Sequence, residues 1–115
     1  MLESVTSTAL FSALDALAMR QRAIAENISN VNTPDYRAQR VDFEDRLRSA
    51  VDGGSGAVSA RIERSLEPTR LNGNNVNLDT ETLSNIDTVL RYQFAAQALS
   101  SQAASITKAI GQASA

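Results

Sequence analysis

Asp42, Glu44 and Asp45 form the densest acidic group in this chain, and carboxylates so close together first suggest a bound cation or acid–base chemistry. The spacing is not that of a calcium loop, and no glycine sits where such a loop must turn. A solvated helix start, with acids near the positive end of the helix dipole, accounts for the three residues more simply. The chain has no His and no Cys, which removes the usual general base, the thiolate nucleophile and the common zinc ligands. Ser and Thr are plentiful but have no activating partner, and no glycine-rich phosphate cradle occurs. Neither an enzyme nor a cofactor, metal or small-molecule substrate is expected.

A second polar concentration runs from Asn27 to Arg37, as Asn-Ile-Ser-Asn-Val-Asn-Thr-Pro-Asp-Tyr-Arg. Part of it reads as a helix end. Asn tolerates the left-handed conformation of a C-terminal cap, and Thr33, preceding Pro34, is pushed out of the helical region. Thr33-Pro34-Asp35-Tyr36 fits a type I turn with proline in its preferred second place. Local capping suffices for Asn32. Asn27 and Asn30 instead lie i,i+3 on a helical stripe with Ala13, Ala16 and Ala23, where amides can pin the register of a helix interface that alanines alone would let slide.

These polar groups depend on two long periodic segments. Leu10, Leu14, Leu17, Gln21, Ile24, Ile28 and Val31 alternate four and three residues apart, the seam of an amphipathic helix, with Ala13, Ala16 and Ala23 on one flank and Ala18 and Ala25 on the other. Near the other end, Val89, Tyr92, Ala96, Leu99, Ala103, Ile106 and Ile110 keep the same alternation. Leu83, Ile86, Leu90 and Phe94 widen that face. Asp79 is the expected N-cap of this second helix, with Leu78 and Leu83 as a hydrophobic staple and Glu81 in the first turn, while Gly111 is a plausible stop.

Four of the five glycines and both prolines fall between the two helices. Within this middle, Val41 to Val51 suits a short helix capped by Asp42, with Phe43 and Leu47 on one side. Val58, Ala60 and Ile62 alternate with polar residues, as in a short exposed strand or an extended arm, and Asn72-Gly73-Asn74-Asn75 reads as a turn. The expected fold is mainly α: two long terminal helices paired antiparallel as a coiled-coil-like hairpin, with an irregular middle. The divisions are an N-terminal helix over 1–32, the middle over 33–77 and a C-terminal helix over 78–115, the two helices forming one domain.

With three Phe, two Tyr and no Trp in 115 residues, and much of the 43% hydrophobic content in alanine, the apolar area available for burial is modest. Marginal stability in isolation is expected, and an uncovered apolar face on each helix calls for neighbours. The net charge of −2 is interspersed, so no basic field exists to hold nucleic acid. No stretch approaches the ~20 apolar residues that span a bilayer, and the start lacks the pattern of a cleaved secretory signal. By residues alone this is a helical protein that polymerises or joins an assembly, or else a cytoplasmic helical adaptor or chaperone.

The segment from Ala16-Leu17 to Tyr36-Arg37 resembles the N-terminal signature of bacterial flagellar rod and hook proteins, an alanine-leucine helix running into Asn-Ile-Ala-Asn-Val-Asn-Thr-Pro-Gly-Tyr. This chain departs at Ser29 and at Asp35, where the motif turn Asn32, Thr33, Pro34, Asp35, Tyr36 has lost its glycine; that loss favours the type I geometry. Tyr36-Arg37-Ala38-Gln39-Arg40-Val41-Asp42-Phe43, Gly73 to Glu81 and Leu90-Arg91-Tyr92-Gln93 look like phrases of the proximal-rod branch, whose short length also agrees. The resemblance implies a structural subunit of the periplasmic rod in the flagellar basal body. It also implies assembly through the terminal helices around an export channel. The implied partners are other copies of the chain, other rod subunits, the membrane-ring and export-gate junction and the flagellar type III export apparatus, which the chain would pass without a cleaved signal. The segment from Thr33 to Ala50 would reach a neighbouring subunit. Both helix seams, with Asn27 and Asn30, are the expected assembly surface.

Overall fold

A computed structural model describes residues 2–114 and the side chains of 5–112. Helix α1 (Leu2–Ser29) is followed by strand β1 (Gln39–Asp42), helix α2 (Glu44–Asp52), strand β2 (Arg61–Arg64) and helix α3 (Leu78–Ser114). The two long helices pack antiparallel: Ser7 Oγ donates to Gln102 Oε1 at one end (3.0 Å), and Asn27 Nδ2 donates to Glu81 Oε2 at the other (3.1 Å). At 37 residues against 28, α3 overhangs the start of α1, and the molecule measures 69 × 25 × 14 Å.

The core lies on one side of α1. Ala16, Leu17, Ala23, Val41 and Phe43 form its buried cluster, with Ala13, Met19, Leu47 and Ala60 packed around it. Small residues on this α1 stripe leave room for the β1–β2 ribbon and the phenylalanine to come close. β1 and β2 pair antiparallel, Val41 opposite Ile62 and Asp42 opposite Arg61. Val41 faces the core and all four β2 residues are exposed, so the ribbon is one strand deep in apolar cover.

The connection into β2 crosses α1. Gly56 is buried at φ +69°, and a Cβ there would stand 2.7 Å from the Val5 carbonyl oxygen and 3.0 Å from the Ala9 nitrogen. Only glycine fits this approach. Ser12 on α1 fastens the crossing, its hydroxyl donating to the Gly56 carbonyl (3.0 Å) and accepting from the Val58 N–H (3.3 Å).

Several local expectations change. Val41 and Asp42 belong to β1; α2 starts after them, with Phe43 as an N-cap that makes no side-chain hydrogen bond, because the pull of Phe43 into the core outweighs helix capping. The N-cap of α3 is Asn77, whose Oδ1 accepts from the N–H groups of Asp79 (3.0 Å) and Thr80 (3.3 Å). Asp79 is therefore inside the first turn, and Leu78 and Leu83 are exposed and form no staple. Gly111 lies within α3 and does not stop it. The face of α3 turned to α1 is not its most apolar one: among the described residues Glu81, Thr88 and Ala95 are buried, and Ser84 lines a small cavity together with Ala23 and Ile24 of α1. Val41 and Phe43, within the segment from Thr33 to Ala50, are buried in the chain's own core.

Candidate functional site

Asn27, on the last turn of α1, is the centre of a polar clasp joining three parts of the chain. Its side chain is 0% exposed and makes four hydrogen bonds. Nδ2 donates to the Gln39 carbonyl (3.0 Å) and to Glu81 Oε2 (3.1 Å), while Oδ1 accepts from the Gln39 N–H (2.8 Å) and the Tyr36 hydroxyl (3.1 Å). A carboxamide offers two donors and two acceptor sites, and all four are used. Glu81, also 0% exposed, receives Arg40 Nη1 on its other oxygen at 2.8 Å. Arg40 Nη2 is buried without a hydrogen-bond partner, 3.9 Å from Glu67 Oε2. A carboxylate so enclosed is stabilised only if its partners are complete, and the amide of Asn27 supplies what the partly exposed Arg40 alone does not.

A second layer is built by Asn74 and Asn75, both buried. Asn74 Nδ2 donates to the carbonyls of Asn30 and Thr33, each at 2.8 Å, and its Oδ1 accepts from the Val76 N–H. Asn75 Oδ1 accepts from the Ala38 N–H (2.7 Å), and its Nδ2 reaches the Ser65 and Glu67 carbonyls. These amides satisfy loop backbone that no sheet or helix serves. Arg70 adds bonds to the carbonyls of Val76 and Val31.

The motif turn is where the two layers meet. Tyr36 N–H donates to the Thr33 carbonyl (3.3 Å), closing the four-residue turn, but Asp35 has φ +61°, the sign required at this position by a type II turn. The expected type I geometry is thus replaced. The reason is a grip from outside: Asp35 N–H donates to the Asn72 carbonyl (2.8 Å), and Gly73, at φ +84°, leaves only enough room for Asp35, since a Cβ on it would fall 2.3 Å from Asp35 Oδ1. Aspartate bears the left-handed conformation better than most residues, at some cost.

Arg20 fixes the ribbon to α1. Its guanidinium binds both carboxylate oxygens of Glu44 (2.7 and 2.8 Å), donates to the Val41 carbonyl (2.7 Å) and lies 4.9 Å from the centroid of Phe43. Burial raises the pKa of Glu44, but the hydrogen bond and charge of Arg20 more than offset this and hold it below the ordinary 4.5. A lowered folded pKa contributes stability above the unfolded value that is lost as pH falls through the folded one. The stability gap between wild type and Glu44→Gln, read from urea midpoints, should therefore be constant above pH 4.5 and close below it. Of the other acids in this group, Asp42 faces Arg61 across the ribbon, and Asp45 lies on the surface 3.9 Å from Arg48.

The expected surface residues divide. Leu17, Ile24 and Asn27 are buried within the chain; Leu10, Leu14, Gln21 and Val31 are half-buried, and Ile28 is exposed. Asn30 turns back on its own helix, donating to the Glu26 carbonyl and accepting from Thr33 Oγ1. Along α3, Val89, Ala96 and Leu99 are half-buried, and Tyr92, Ala103, Ile106 and Ile110 are exposed. The most prominent apolar feature is the row Leu83, Ile86, Leu90 and Phe94, spaced three and four residues apart on the face of α3 turned away from α1, with Leu90 60% and Phe94 79% exposed. Arg20, Arg40, Asn74 and Asn75 were not anticipated as site residues. Arg20 had a signal: with Ala16, Ala23 and Asn27 it occupies the alanine stripe, where a charge needs a partner.

A family profile described as "Flagella basal body rod protein" matches residues 9–37, most of α1 and the motif turn. A protein of Escherichia coli (strain K12) named "Flagellar basal body rod protein FlgB" is 31% identical, with 78% of this chain and 81% of that protein aligned. The chain belongs to the FlgB family of flagellar basal body rod proteins. The FlgB protein of Salmonella typhimurium is 30% identical over the same shares. That of Proteus mirabilis is 25% identical across 97% of this chain and 99% of its own length, so the likeness to FlgB proteins reaches both long helices and the middle.

Proposed function

We propose that this chain is a structural subunit of the flagellar rod that assembles through the outward faces of its terminal helices. The observation that carries this reading is the exposed row Leu83, Ile86, Leu90 and Phe94 on a chain of the FlgB family. A soluble monomer gains nothing from an apolar stripe along a helix, whereas neighbours packed along the same axis would bury it. Tyr92, Ile106 and Ile110, exposed on the opposite side of α3, and Ile28 at the end of α1 offer further apolar contacts. The clasp around Asn27 holds the two helices in register so that both outer faces meet neighbours together, which lets torque pass through side-by-side contacts. Other copies and other rod subunits are the partners, with the membrane-ring and export-gate junction at the base. The family resemblance extends the reading to export through the flagellar type III apparatus without a cleaved leader and to a place in the periplasmic rod.

The test is a Leu90→Asp, Phe94→Asp chain in cells lacking the native copy. Both positions are exposed, so the isolated chain should keep its melting temperature within the change of about 0.5 kcal/mol typical of surface sites. Incorporation into purified basal bodies and swimming should both be lost. Normal swimming by this variant would refute assembly through the α3 row.

A further inference from the structure

We infer that Asn72-Gly73 is a covalent modification site, a spontaneous deamidation centre whose reaction the folded clasp restrains. It is the only Asn-Gly pair in the chain, and Asn72 is exposed. The chemistry needs only water. The deprotonated Gly73 amide nitrogen attacks Asn72 Cγ, a C–N bond closes a five-membered imide, and Nδ2 leaves as ammonia carrying the proton. Water then opens the imide at one of its two carbonyls, giving aspartate or, with an extra methylene in the main chain, isoaspartate. Nothing is oxidised or reduced.

Glycine at 73 favours this reaction because no Cβ hinders ring closure, and the fold cannot exchange it. Gly73 has φ +84°, and any Cβ would lie 2.3 Å from Asp35 Oδ1 and 3.1 Å from Asp35 Cα. The turn grip that requires glycine thereby creates the reactive pair. The same grip also occupies the reacting groups. The attacking nitrogen has its hydrogen engaged with the Arg70 carbonyl (2.9 Å), which opposes its deprotonation. The Asn72 main-chain carbonyl accepts from Asp35 N–H (2.8 Å), and Asn72 Oδ1 accepts from Asn74 N–H (3.1 Å). Three hydrogen bonds must loosen before the ring can close, so the chain reacts when the clasp is open. The product carries a new carboxylate beside Asp35, and the isoaspartyl form lengthens the backbone between Arg70 and Asn74. Either change weakens the grip on Asp35 and, through Asn74, on the carbonyls of Asn30 and Thr33. Reaction in the open state therefore prevents full closure afterwards.

The full chain, its helicity verified by circular dichroism in trimethylamine N-oxide, which strengthens burial, is incubated in mildly alkaline buffer beside the same chain in urea. Peptide mass spectrometry locates deamidation, and a protein isoaspartyl methyltransferase counts isoaspartate. Asn72 should react fastest of all asparagines in urea and roughly tenfold or more slowly in the folded chain, the factor set by a local opening free energy of about 1.4 kcal/mol. Asn74→Ala, which loosens the grip while keeping the reactive pair, should recover much of the urea rate. Equal rates in the folded and unfolded chain would overturn the restraint, and no preference for Asn72 in urea would overturn the site.

Discussion

Asn27→Asp is expected to cost the isolated chain about 3–5 kcal/mol, the penalty for an uncompensated charge in a buried site. The substitution preserves shape, so cavity formation does not contribute. It replaces the donor that reaches Gln39 O and Glu81 Oε2 with an oxygen and sets one carboxylate against another in a region with no solvent access. For a domain of this size each kcal/mol moves the melting temperature by roughly 4–8 °C, so the variant should be largely unfolded at room temperature if the parent is marginal. Asn30→Asp is the control. The side chain of Asn30 bonds to its own helix and the adjoining turn, and its change should stay under about 1 kcal/mol. Circular-dichroism melts of the two variants separate the roles; similar losses from both would mean that the clasp does not centre on Asn27.

Arg40→Met should cost about 3 kcal/mol, because Glu81 is left enclosed without the cation paired with it. Glu81→Gln should cost less, about 1 kcal/mol, since the amide can still accept from Asn27 and Arg40 is partly solvated. The two changes share one interaction and should not add. Combining them removes the stranded charge, so the double variant should be more stable than Arg40→Met alone, as measured by urea midpoints. A double variant no better than the single one would mean that Arg40 acts through packing rather than through its charge.

The two long helices and their antiparallel pairing were legible because alanine, leucine and isoleucine recur at helical spacing over many turns. Which face of α3 turns inward was not. Of the periodic seam, Val89, Ala96 and Leu99 are half-buried, but the residues of α3 most buried include Glu81 and Thr88, while Leu83, Ile86, Leu90 and Phe94, which widen the apolar face in the sequence, point away. A helix whose most apolar row faces outward inverts the usual rule. The stripe bearing Asn27 was legible for the same reason that it works: a carboxamide among alanines needs a partner. Its partners were not, because Glu81 is 54 residues away and reads locally as an ordinary first-turn acid. The β1–β2 ribbon was half visible; four-residue strands carry little signal, and the pairing depends on Arg20 and Asn27, which lie in another element. At Asp35 the local preference for a type I turn lost to the grip of Asn72 and Gly73.

The ties of the clasp also impose an order of arrival. Asn27 waits for Glu81, Asn30 and Thr33 wait for Asn74, Ala38 waits for Asn75, and Asp35 waits for Asn72, gaps of roughly forty to fifty residues that must all close at once. Loops of that length delay closure, because chain entropy must be lost before any of these bonds forms. A chain delivered from its N-terminus therefore presents α1 and the ribbon, already tied together through Arg20 and Ser12, without the clasp partners that lie between Asn72 and Glu81 until some two-thirds of its length has emerged. Once Glu81 follows, every partner of the clasp is present. The protein carries its own timing in the distance between two side chains.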